Sequence, residues 1–316
     1  MAVLVFGSVN IDRTFSLPHW VALGETILSS SLSVQAGGKG ANQAVALSKA
    51  GAEVSLAATI GSDGLWIKDL LDSYGVGTSL MNVKDDTYTG TATILLDEKG
   101  RNSIVLYGGG NRENGKEYID SVLSRFQKCD WLVLQNEINS LDYVVERALE
   151  KGMRICLNPS PFEDGLKTLP LEKIDLLVVN EIEMAQLTGE EIKDDIESYR
   201  KILKETGRKY PSSSILLTLG EKGSLFLERE RDEILFSDIV KTDAVDTTAA
   251  GDTFLGYFLS SVIEGREYTE ALTRASRASS IAVSRKGAMD SIPLREEVDA
   301  RGGFSSPPPR FCIYPL

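Results

Sequence analysis

The fold is decided by four short apolar runs in the middle of the chain, which read Trp131-Leu132-Val133-Leu134-Gln135, Arg154-Ile155-Cys156-Leu157-Asn158, Leu176-Leu177-Val178-Val179-Asn180 and Ser214-Ile215-Leu216-Leu217-Thr218-Leu219. Two similar runs precede them, Ala2–Val9 and Glu53–Ile60. Runs of this length suit buried strands and fall far short of the ~20 residues of a membrane span. The segments between them have helical periodicity, as in the apolar positions Ala41, Ala44, Val45, Leu47 and Ala50. The alternation predicts an α/β protein with a mostly parallel sheet covered by helices on both faces.

One hairpin interrupts this alternation. Thr91–Leu96 and Ser103–Tyr107 flank a polar turn, as the two strands of a hairpin would. Three consecutive apolar residues, at positions 94–96, place apolar side chains on both faces of the first strand. We interpret the hairpin as part of a small β lid whose outer face a second subunit covers, which gives a homodimer; packing on the main body is the alternative. The predicted lid comprises about residues 11–36 and 88–108.

The chain reads as one domain over residues 1–300, a three-layer α/β/α sandwich, followed by a divergent tail over residues 301–316. Within the tail, Gly302-Gly303 and Pro307-Pro308-Pro309 follow each other closely, so the preceding helix cannot continue through it. We expect a flexible or surface-bound extension, with a regulatory or partner-binding role as the less favoured alternative.

The amino-acid composition limits the kinds of ligand and the cellular location that we expect for the protein. A formal net charge of -12 argues against nucleic acid as the main ligand, because polyanions require clustered positive potential. The amino terminus lacks the pattern of a signal peptide and the three cysteines are far apart, so we expect a reducing, cytoplasmic location and no membrane contact. The single histidine, His19, lies in a predicted loop and is expected at the surface or in the lid, not in a catalytic role.

The strongest chemical signal is Asp246-Thr247-Thr248-Ala249-Ala250-Gly251-Asp252-Thr253-Phe254, a small-residue turn that opens an apolar helix. First-turn amides of a helix have no intrahelical acceptors and can hold a phosphoryl group. Asp252 would lie beside these amides as a general base for an attacking hydroxyl. Taken in isolation, Asp252 would be better explained as a helix N-cap, but the complete string favours catalysis.

A second signal is the glycine-rich bend Gly37-Gly38-Lys39-Gly40-Ala41-Asn42-Gln43, which would allow close approach of a ligand or would serve only as a tight connection. It is not a dinucleotide fingerprint, and the stretch from Gly110 to Lys116 is only a chance approximation to a P-loop. Polar residues at predicted strand ends, Asn10, Asp12 and Glu137, would suit a vicinal diol or simply cap loops. Asn180-Glu181-Ile182-Glu183 follows another strand and is a weak candidate for hydrated Mg²⁺.

Together these segments resemble the ribokinase family of carbohydrate kinases, from Val3 to Asp299. The motifs occur in the family's order, namely residues 7–12, 37–43, 89–92, 180–183, 218–220 and 246–253. The resemblance implies a ribokinase-like fold and ATP-dependent transfer of phosphate to a small sugar, with O5 of D-ribose as the leading acceptor. Ala249 stands where many relatives have glycine, and Ser276 stands where they often have Asn or His near the adenine.

The family match also implies roles for individual residues. Asp252 would be the base, and the backbone of Ala249, Ala250 and Gly251 would form the anion hole. The implied sugar contacts are Asn10, Asp12, Gly38, Lys39, Gly40, Asn42, Glu137 and Asp252. The implied ATP contacts are Asn180, Thr218, Gly220, Gly223, Gly251 and Ser276, with Glu183 associated with Mg²⁺. The implied K⁺ site, an activating monovalent cation site, comprises Asp246, Thr248, Ala282, Arg285, Gly287 and Ser291.

Two other functions stay open from the sequence. A relative that acts on another sugar or on a nucleoside would share the fold and the base while differing in its pocket. A catalytically silent sugar-binding regulator on the same fold is a different class, and the retention of Asp252 and Glu183 counts against it. At the potassium site the residues alone fit a turn cap at Asp246 and a solvated helix end about as well as a cation.

Overall fold

The computed structural model describes residues 1–229, 233–300 and 311–315. Fifteen strands occur in these residues: β1 Val3–Phe6, β2 Asn10–Leu17, β3 Ser31–Gly37, β4 Val54–Ala57, β5 Thr59–Gly61, β6 Asn82–Lys84, β7 Gly90–Asp97, β8 Asn102–Tyr107, β9 Trp131–Gln135, β10 Arg154–Asn158, β11 Leu176–Asn180, β12 Ser214–Thr218, β13 Ser224–Leu227, β14 Glu233–Ser237 and β15 Phe311–Pro315. The same residues form nine α-helices: α1 Lys39–Lys49, α2 Leu65–Ser73, α3 Lys116–Leu123, α4 Leu141–Lys151, α5 Glu181–Thr188, α6 Ile196–Lys209, α7 Ala250–Ile263, α8 Tyr268–Val283 and α9 Arg295–Ala300.

Nine strands form the central sheet, in the order β15-β14-β13-β12-β11-β10-β9-β1-β4. The pairs from β4 to β12 are parallel, and β13, β14 and β15 continue the sheet in antiparallel pairs. All six strands predicted from apolar runs lie in this sheet, although β1 and β4 are shorter than their runs. The mostly parallel sheet expected from the sequence is therefore confirmed.

Two hydrophobic cores cover the two faces of this sheet. Along β1, Val3 and Val5 face the core that contains α1, α7 and α8, whereas Leu4 and Phe6 face the core that contains α3, α4 and α6. Successive side chains of a strand point to opposite faces, so a run that is apolar at every position requires helices on both sides. This arrangement confirms the three-layer sandwich.

The lid is a separate four-stranded sheet in the order β3-β2-β7-β8. The predicted hairpin is present as β7 and β8, with Ile94 opposite Ile104. All six residues of β8 are exposed, and four of them are large and apolar: Ile104, Val105, Leu106 and Tyr107. Because Val105 and Leu106 point to opposite faces, apolar side chains meet solvent on both sides of this edge strand. His19 is exposed near the lid and pairs with Glu25.

The end of the tail, for which the sequence left a flexible or a surface-bound extension open, forms a strand. Residues 311–315 form β15, which pairs antiparallel with β14 along the edge of the central sheet. Phe311 and Tyr314 pack against opposite cores, and the Arg200 guanidinium lies 3.8 Å from the centre of the Tyr314 ring. Edge pairing and apolar packing hold this segment, whereas the expectation for residues 301–310 falls outside the described residues.

Within the described ranges, no helix is both long and apolar enough to cross a bilayer. The three cysteines, Cys129, Cys156 and Cys312, are all free thiols. Burial raises the pKa of the Cys156 thiol far above its ordinary value, which keeps this group inert. The cytoplasmic location expected from the sequence stays a prediction.

Candidate active site

The predicted site residues gather at the carboxyl ends of the parallel strands, the edge at which open α/β sheets bind ligands. Polar residues after β1, β9 and β11 meet the beginnings of α1, α5 and α7 there. Two parts can be distinguished. One is a polar cluster, which we define as Asn10, Asp12, Lys39, Asn42, Glu137 and Asp252. The other is the main cavity, which lies on the far side of the first turn of α7.

Asp252 lies in the first turn of α7 with 9% of its surface exposed. Its Oδ2 accepts a hydrogen bond from Asn42 Nδ2 at 3.1 Å, and its Oδ1 accepts one from Gln43 Nε2 at 2.9 Å. Both donors are side chains of α1, so the carboxylate is held between two helices. Asp252 is not the N-cap of α7, because Ala249 occupies that position and no side chain caps it.

The turn before α7 leaves part of the predicted anion hole open. Ala249 adopts a left-handed conformation, with φ of 57°, which an alanine rarely adopts and which turns the chain sharply into the helix. The Ala250 N–H donates to the Thr247 carbonyl at 3.2 Å, so it is already occupied. Among the described residues, the N–H groups of Gly251 and Asp252 have no acceptor. These two amides, together with that of Ala249, are therefore the available donors.

The glycine bend packs α1 directly onto β1. A Cβ atom at Gly40 would lie 2.4 Å from Ser8 N and 2.6 Å from Gly7 C, so only glycine fits there. Gly38 has φ of 94°, a conformation that side chains rarely adopt. The Ser8 hydroxyl accepts from the Gly40 N–H at 3.2 Å. The bend is therefore a tight connection, which was one of the two interpretations of its sequence. It also places Lys39 in the polar cluster.

Glu137 fixes this bend. Its Oε2 accepts hydrogen bonds from the Ser8 hydroxyl and from the Lys39 N–H, the latter at 3.1 Å. The negative charge also acts on its neighbours: burial, followed by repulsion from Glu137, raises the pKa of Asp12 to about 7. Burial alone would lower the pKa of Lys39, but the carboxylates of Asp252, Glu137 and Glu183 outweigh it and raise that pKa. Lys39 is thus the cation that balances the cluster.

Two acceptor oxygens of the polar cluster are buried and unpaired within the described residues: Asp12 Oδ1 and Asn42 Oδ1. Buried acceptors that lack donors are costly, so such atoms point to a missing donor. Asn10 is oriented instead by a neighbour, because its Oδ1 accepts from Asn111 Nδ2 at 2.8 Å. Asn111 Oδ1 in turn accepts from the Val9 N–H at 3.0 Å, so Asn10 is left with its own amide N–H groups to offer.

The main cavity has a volume of about 540 Å³. Every residue predicted to contact ATP lines it: Asn180, Thr218, Gly220, Gly223, Gly251 and Ser276. Gly251 is also next to Asp252 in the chain, so the lining of the cavity ends one residue from this carboxylate. No member of the polar cluster lines the cavity. The cluster and the cavity are therefore two separate regions, one on each side of the first turn of α7.

Side chains that line this cavity are mostly occupied by local bonds. Asn180 and Glu183 form a capping box at the start of α5: Glu183 N donates to Asn180 Oδ1 at 2.8 Å, and Asn180 N donates to Glu183 Oε2 at 3.0 Å. Ser276 accepts from the Val240 N–H at 3.1 Å. In the described ranges, no group of three His, Cys, Asp or Glu side chains gathers into a metal site.

Three of the residues predicted for a monovalent cation, Asp246, Thr248 and Gly287, are linked by hydrogen bonds. Asp246 Oδ1 accepts from the Thr248 N–H and hydroxyl, at 2.9 and 2.6 Å, and its Oδ2 accepts from the Gly287 N–H at 3.0 Å. The carboxylate thus links the loop before α7 to the loop after α8. Burial opposes the charged form, yet the bonds to Thr248 and Gly287 lower the pKa of Asp246 below its ordinary value. Arg285 is paired with Glu297, and Ser291 is fully buried.

Several residues that shape the site were missed in the sequence. Asn111 lies in the stretch dismissed as a chance P-loop, and Ser8 was noted only as part of a motif. Gln135 and Asn158 close two of the apolar runs, where a polar residue after a buried strand was the available signal. Gln43 was quoted within the glycine bend, but its contact with Asp252, which lies 209 residues away in sequence, is visible only in three dimensions.

The comparisons with known proteins agree with this geometry. A model of the pfkB family of carbohydrate kinases matches residues 2–295. A ribokinase from Haemophilus influenzae is 33% identical over 93% of this chain and 95% of its own length. A deoxyribokinase from Salmonella typhimurium is 30% identical over 94% of this chain and 97% of its own length.

Solved structures give the same answer. A ribokinase from Cryptococcus neoformans in complex with ADP has a TM-score of 0.86 at 36% identity, covering 95% of this chain and 99% of that one. A ribokinase from Arabidopsis thaliana complexed with ribose and ATP has a TM-score of 0.84 at 30% identity, covering 96% and 99%. With a family model over nearly the whole chain and relatives above 30% identity, this chain belongs to the pfkB family of carbohydrate kinases and is a sugar kinase that transfers phosphate to an alcohol.

Proposed function

We propose that the enzyme phosphorylates D-ribose at O5 with ATP. The observation that carries this proposal is the position of Asp252, which two amide donors hold at the border between the polar cluster and the main cavity. A sugar bound in the cluster and a nucleotide bound in the cavity would meet at this carboxylate. Relatives named ribokinase, one of them complexed with ribose and ATP, favour ribose as the acceptor.

The chemistry divides between a base and a set of amides. Asp252 removes the proton from the attacking hydroxyl. The N–H groups of Ala249, Gly251 and Asp252 stabilise the negative charge that develops on the transferring phosphoryl group, aided by the positive end of the α7 dipole. The Ala250 N–H contributes less, because the Thr247 carbonyl already accepts from it. Lys39 supplies a positive charge close to the same carboxylate.

The sugar would satisfy the unpaired atoms of the polar cluster. Its hydroxyls donate to Asp12 Oδ1 and Asn42 Oδ1, which lack donors in the described residues. Asn10 offers N–H groups, because Asn111 occupies its oxygen. Glu137 acts mainly through the bend, since its Oε2 already accepts two hydrogen bonds. Gly38 and Gly40 let the sugar approach the backbone, and Gly40 keeps α1 in place.

We propose that Glu183 supports Mg²⁺ through water. One of its oxygens takes part in the capping box and the other accepts no hydrogen bond among the described residues. This fits an ion that keeps most of its waters and binds substrate phosphates, and the ion supplies charge neutralisation there. Glu183→Gln retains the capping box, because glutamine also serves at that position. It should raise the Mg²⁺ concentration for half-maximal rate without lowering thermal stability, and an unchanged Mg²⁺ requirement would exclude the role.

We also propose activation by K⁺ at Asp246, Thr248, Ala282, Arg285, Gly287 and Ser291. The bond between Asp246 and Gly287 brings the two loops together, and a carboxylate oxygen can accept more than one contact. A bound cation would stiffen the turn that presents the anion-hole amides. Activity should rise when K⁺ replaces a bulky organic cation at constant ionic strength, and Asp246→Ala should remove most of that response. Asp243→Ala, in the same loop and exposed, is the control; equal rates with and without K⁺ would refute the site.

We propose a homodimer formed through the lid. The support is the row of exposed apolar side chains on β8, together with Leu32 and Val34 on β3. Val105→Glu should shift the mass in sedimentation equilibrium towards the monomer, whereas Val83→Glu, outside the lid, should not. A wild-type protein that stays monomeric at all concentrations would contradict the dimer.

An ATP-consumption assay over pentoses, hexoses and nucleosides tests the function itself. We expect the highest kcat/KM for D-ribose, and phosphate on O5 of the product. The second candidate substrate is 2-deoxyribose, because one of the similar proteins is named deoxyribokinase. Ribose should be preferred because a missing hydroxyl leaves buried polar groups unpaired. Equal kcat/KM for the two sugars would reject ribose specificity, and a nucleoside preference would reject the sugar assignment.

A further inference from the structure

Gln43 makes three hydrogen bonds although it is fully buried. Its Nε2 donates to Asp252 Oδ1 at 2.9 Å and to Asn158 Oδ1 at 3.2 Å. Its Oε1 accepts from Gln135 Nε2 at 2.6 Å. An amide can rotate by half a turn and present oxygen where nitrogen stood, and an oxygen facing the Asp252 carboxylate would be repulsive. What matters is therefore which neighbours fix the polarity of this amide.

The polarity is set by a backbone carbonyl. Asn158 Nδ2 donates to the Val178 carbonyl at 2.9 Å, and a carbonyl oxygen can only accept. Asn158 must therefore direct its Oδ1 towards Gln43, which must then direct its Nε2 towards Asn158 and Asp252. The same reasoning directs Gln43 Oε1 towards Gln135. The series of hydrogen-bonded amides therefore begins at the Val178 carbonyl oxygen, which can only accept a hydrogen bond.

The other end of this series of amides is Gln135. Gln135 is fully buried, and a Cβ atom at Gly7 would lie 2.2 Å from its Oε1. The side chain therefore lies close against the Gly7 backbone, and its Oε1 has no hydrogen-bond partner among the described residues. Asn42, the other donor to Asp252, has no comparable link to a backbone carbonyl among the described residues, and its Oδ1 is unpaired. Only one of the two amides that hold Asp252 has its orientation dictated by the surrounding fold.

We infer that Gln43 is a positioning residue for Asp252, and that Asn158 and Gln135 hold its amide in the donating orientation. The inference rests on the proposed role of Asp252 as the base. Apart from Asp252, the hydrogen-bond partners of Gln43 are the neutral amides of Asn158 and Gln135. The positive charge that acts on Asp252 is the Lys39 ammonium at the start of α1. The chain therefore orients the base without adding a charge, and it joins the carboxyl ends of β9, β10 and β11 to α1 and α7.

The test compares Gln43→Met, Gln43→Glu and Gln135→Met with the wild type and with Gln186→Met, an exposed glutamine on α5. Gln43→Met should lower kcat by about 10- to 100-fold, the range for a lost hydrogen bond to a charged group. The KM for the sugar should stay within about threefold of the wild type, since Gln43 does not belong to the sugar contacts. Gln135→Met removes the hydrogen bond to Gln43 and leaves the one from Gln43 to Asp252 in place, so it should lower kcat by only about three- to tenfold.

The pH profile separates positioning from a merely structural role. In Gln43→Glu a carboxyl group faces Asp252, so the acidic limb of the pH–kcat profile should move to higher pH. Gln43→Met removes a donor to the carboxylate without adding a charge, so it should move the acidic limb in the same direction but by less than Gln43→Glu. Adding Gln43→Met to Asp252→Asn should cause little further loss, because the residue acts through that carboxylate. Should Gln43→Met fail to fold, Gln43→Glu and Gln135→Met carry the test by the same criteria, with thermal midpoints as the check on folding.

Wild-type kcat and an unshifted acidic limb in the Gln43 variants, with Asp252→Asn strongly impaired, would overturn the positioning role and leave the base intact. Equal and additive losses in the Asp252→Asn background would also overturn it. Full activity of Asp252→Asn would instead reject the proposed base. The two failures are therefore distinguishable.

Discussion

The polar cluster and the main cavity lie on opposite sides of one helical turn, yet they are built differently. The cluster consists of side chains from β2, α1, α7 and the turn after β9, and neighbouring side chains hold them: Asp252 accepts from Asn42 and Gln43, and Glu137 accepts from Ser8. The cavity is lined largely by glycines, small residues and groups already bonded locally. A region of interlocked side chains should respond strongly to single changes, whereas a region of backbone and small residues should tolerate them. The following predictions test this contrast.

The largest effect is expected in the cluster from Asp252→Asn. Loss of a positioned general base should lower kcat by about 10² to 10⁴, or roughly 3 to 5 kcal/mol of barrier, with sugar binding largely retained. Steady-state kinetics and calorimetric binding measure the two quantities. Asp142→Asn, the same change in the first turn of α4, is the control and should be neutral. Undiminished turnover in Asp252→Asn would mean that another group accepts the proton.

Next in size is Gly40→Ala, where the cluster meets the backbone of β1. The added Cβ would lie 2.4 Å from Ser8 N, and backbone cannot yield as a flexible side chain can. We expect a loss of about 1 to 3 kcal/mol in the free energy of unfolding, the usual cost of overpacking. Denaturant unfolding of Gly40→Ala and of Gly165→Ala, which has open space around it, provides the comparison. Equal stabilities would show that α1 can shift away from β1 at little cost.

An intermediate effect should appear in the pH dependence of sugar use. Burial and Glu137 raise the pKa of Asp12 to about 7, and sugar hydroxyls donate to the ionised form. Below pH 7 a proton must be lost on binding, so kcat/KM for the sugar should fall up to about tenfold per pH unit as the pH decreases. Asp12→Asn should lower kcat/KM and abolish this slope. A wild-type profile that is flat between pH 5.5 and 7, under saturating ATP, would exclude Asp12 as the titrating group.

The smallest effect is expected in the cavity, from Ser276→Ala. The hydroxyl accepts from the Val240 N–H, so its loss should raise the KM for ATP by about two- to tenfold and leave kcat unchanged. Ser121→Ala, at an exposed position of α3, should change neither value. A loss of kcat comparable to that of Asp252→Asn would break the proposed contrast between the two regions.

Much of the fold could be predicted because its strands are buried on both faces. Runs such as Leu176–Val179 are apolar at every position, and only a sheet between two helical layers accommodates them. The lid strand β2 was harder, since its alternation is weak and its partners β3 and β7 are distant in sequence. The strand at Phe311–Pro315 was missed because its signal is pairing with β14, and pairing partners cannot be read from one segment.

The candidate site divides in the same way. The sequence alone predicted which residues would carry chemistry, since Asp252 after a small-residue turn and Asn10 and Asp12 after an apolar strand are local patterns. Only the tertiary structure decided what each side chain does with its atoms. It assigns Glu183 to a capping box, Glu137 to the glycine bend and Asn111 to Asn10. The physical reason is that a hydrogen bond is set by distance and direction in space, and the partners of a buried amide such as Gln43 lie on strands and helices that only folding brings together.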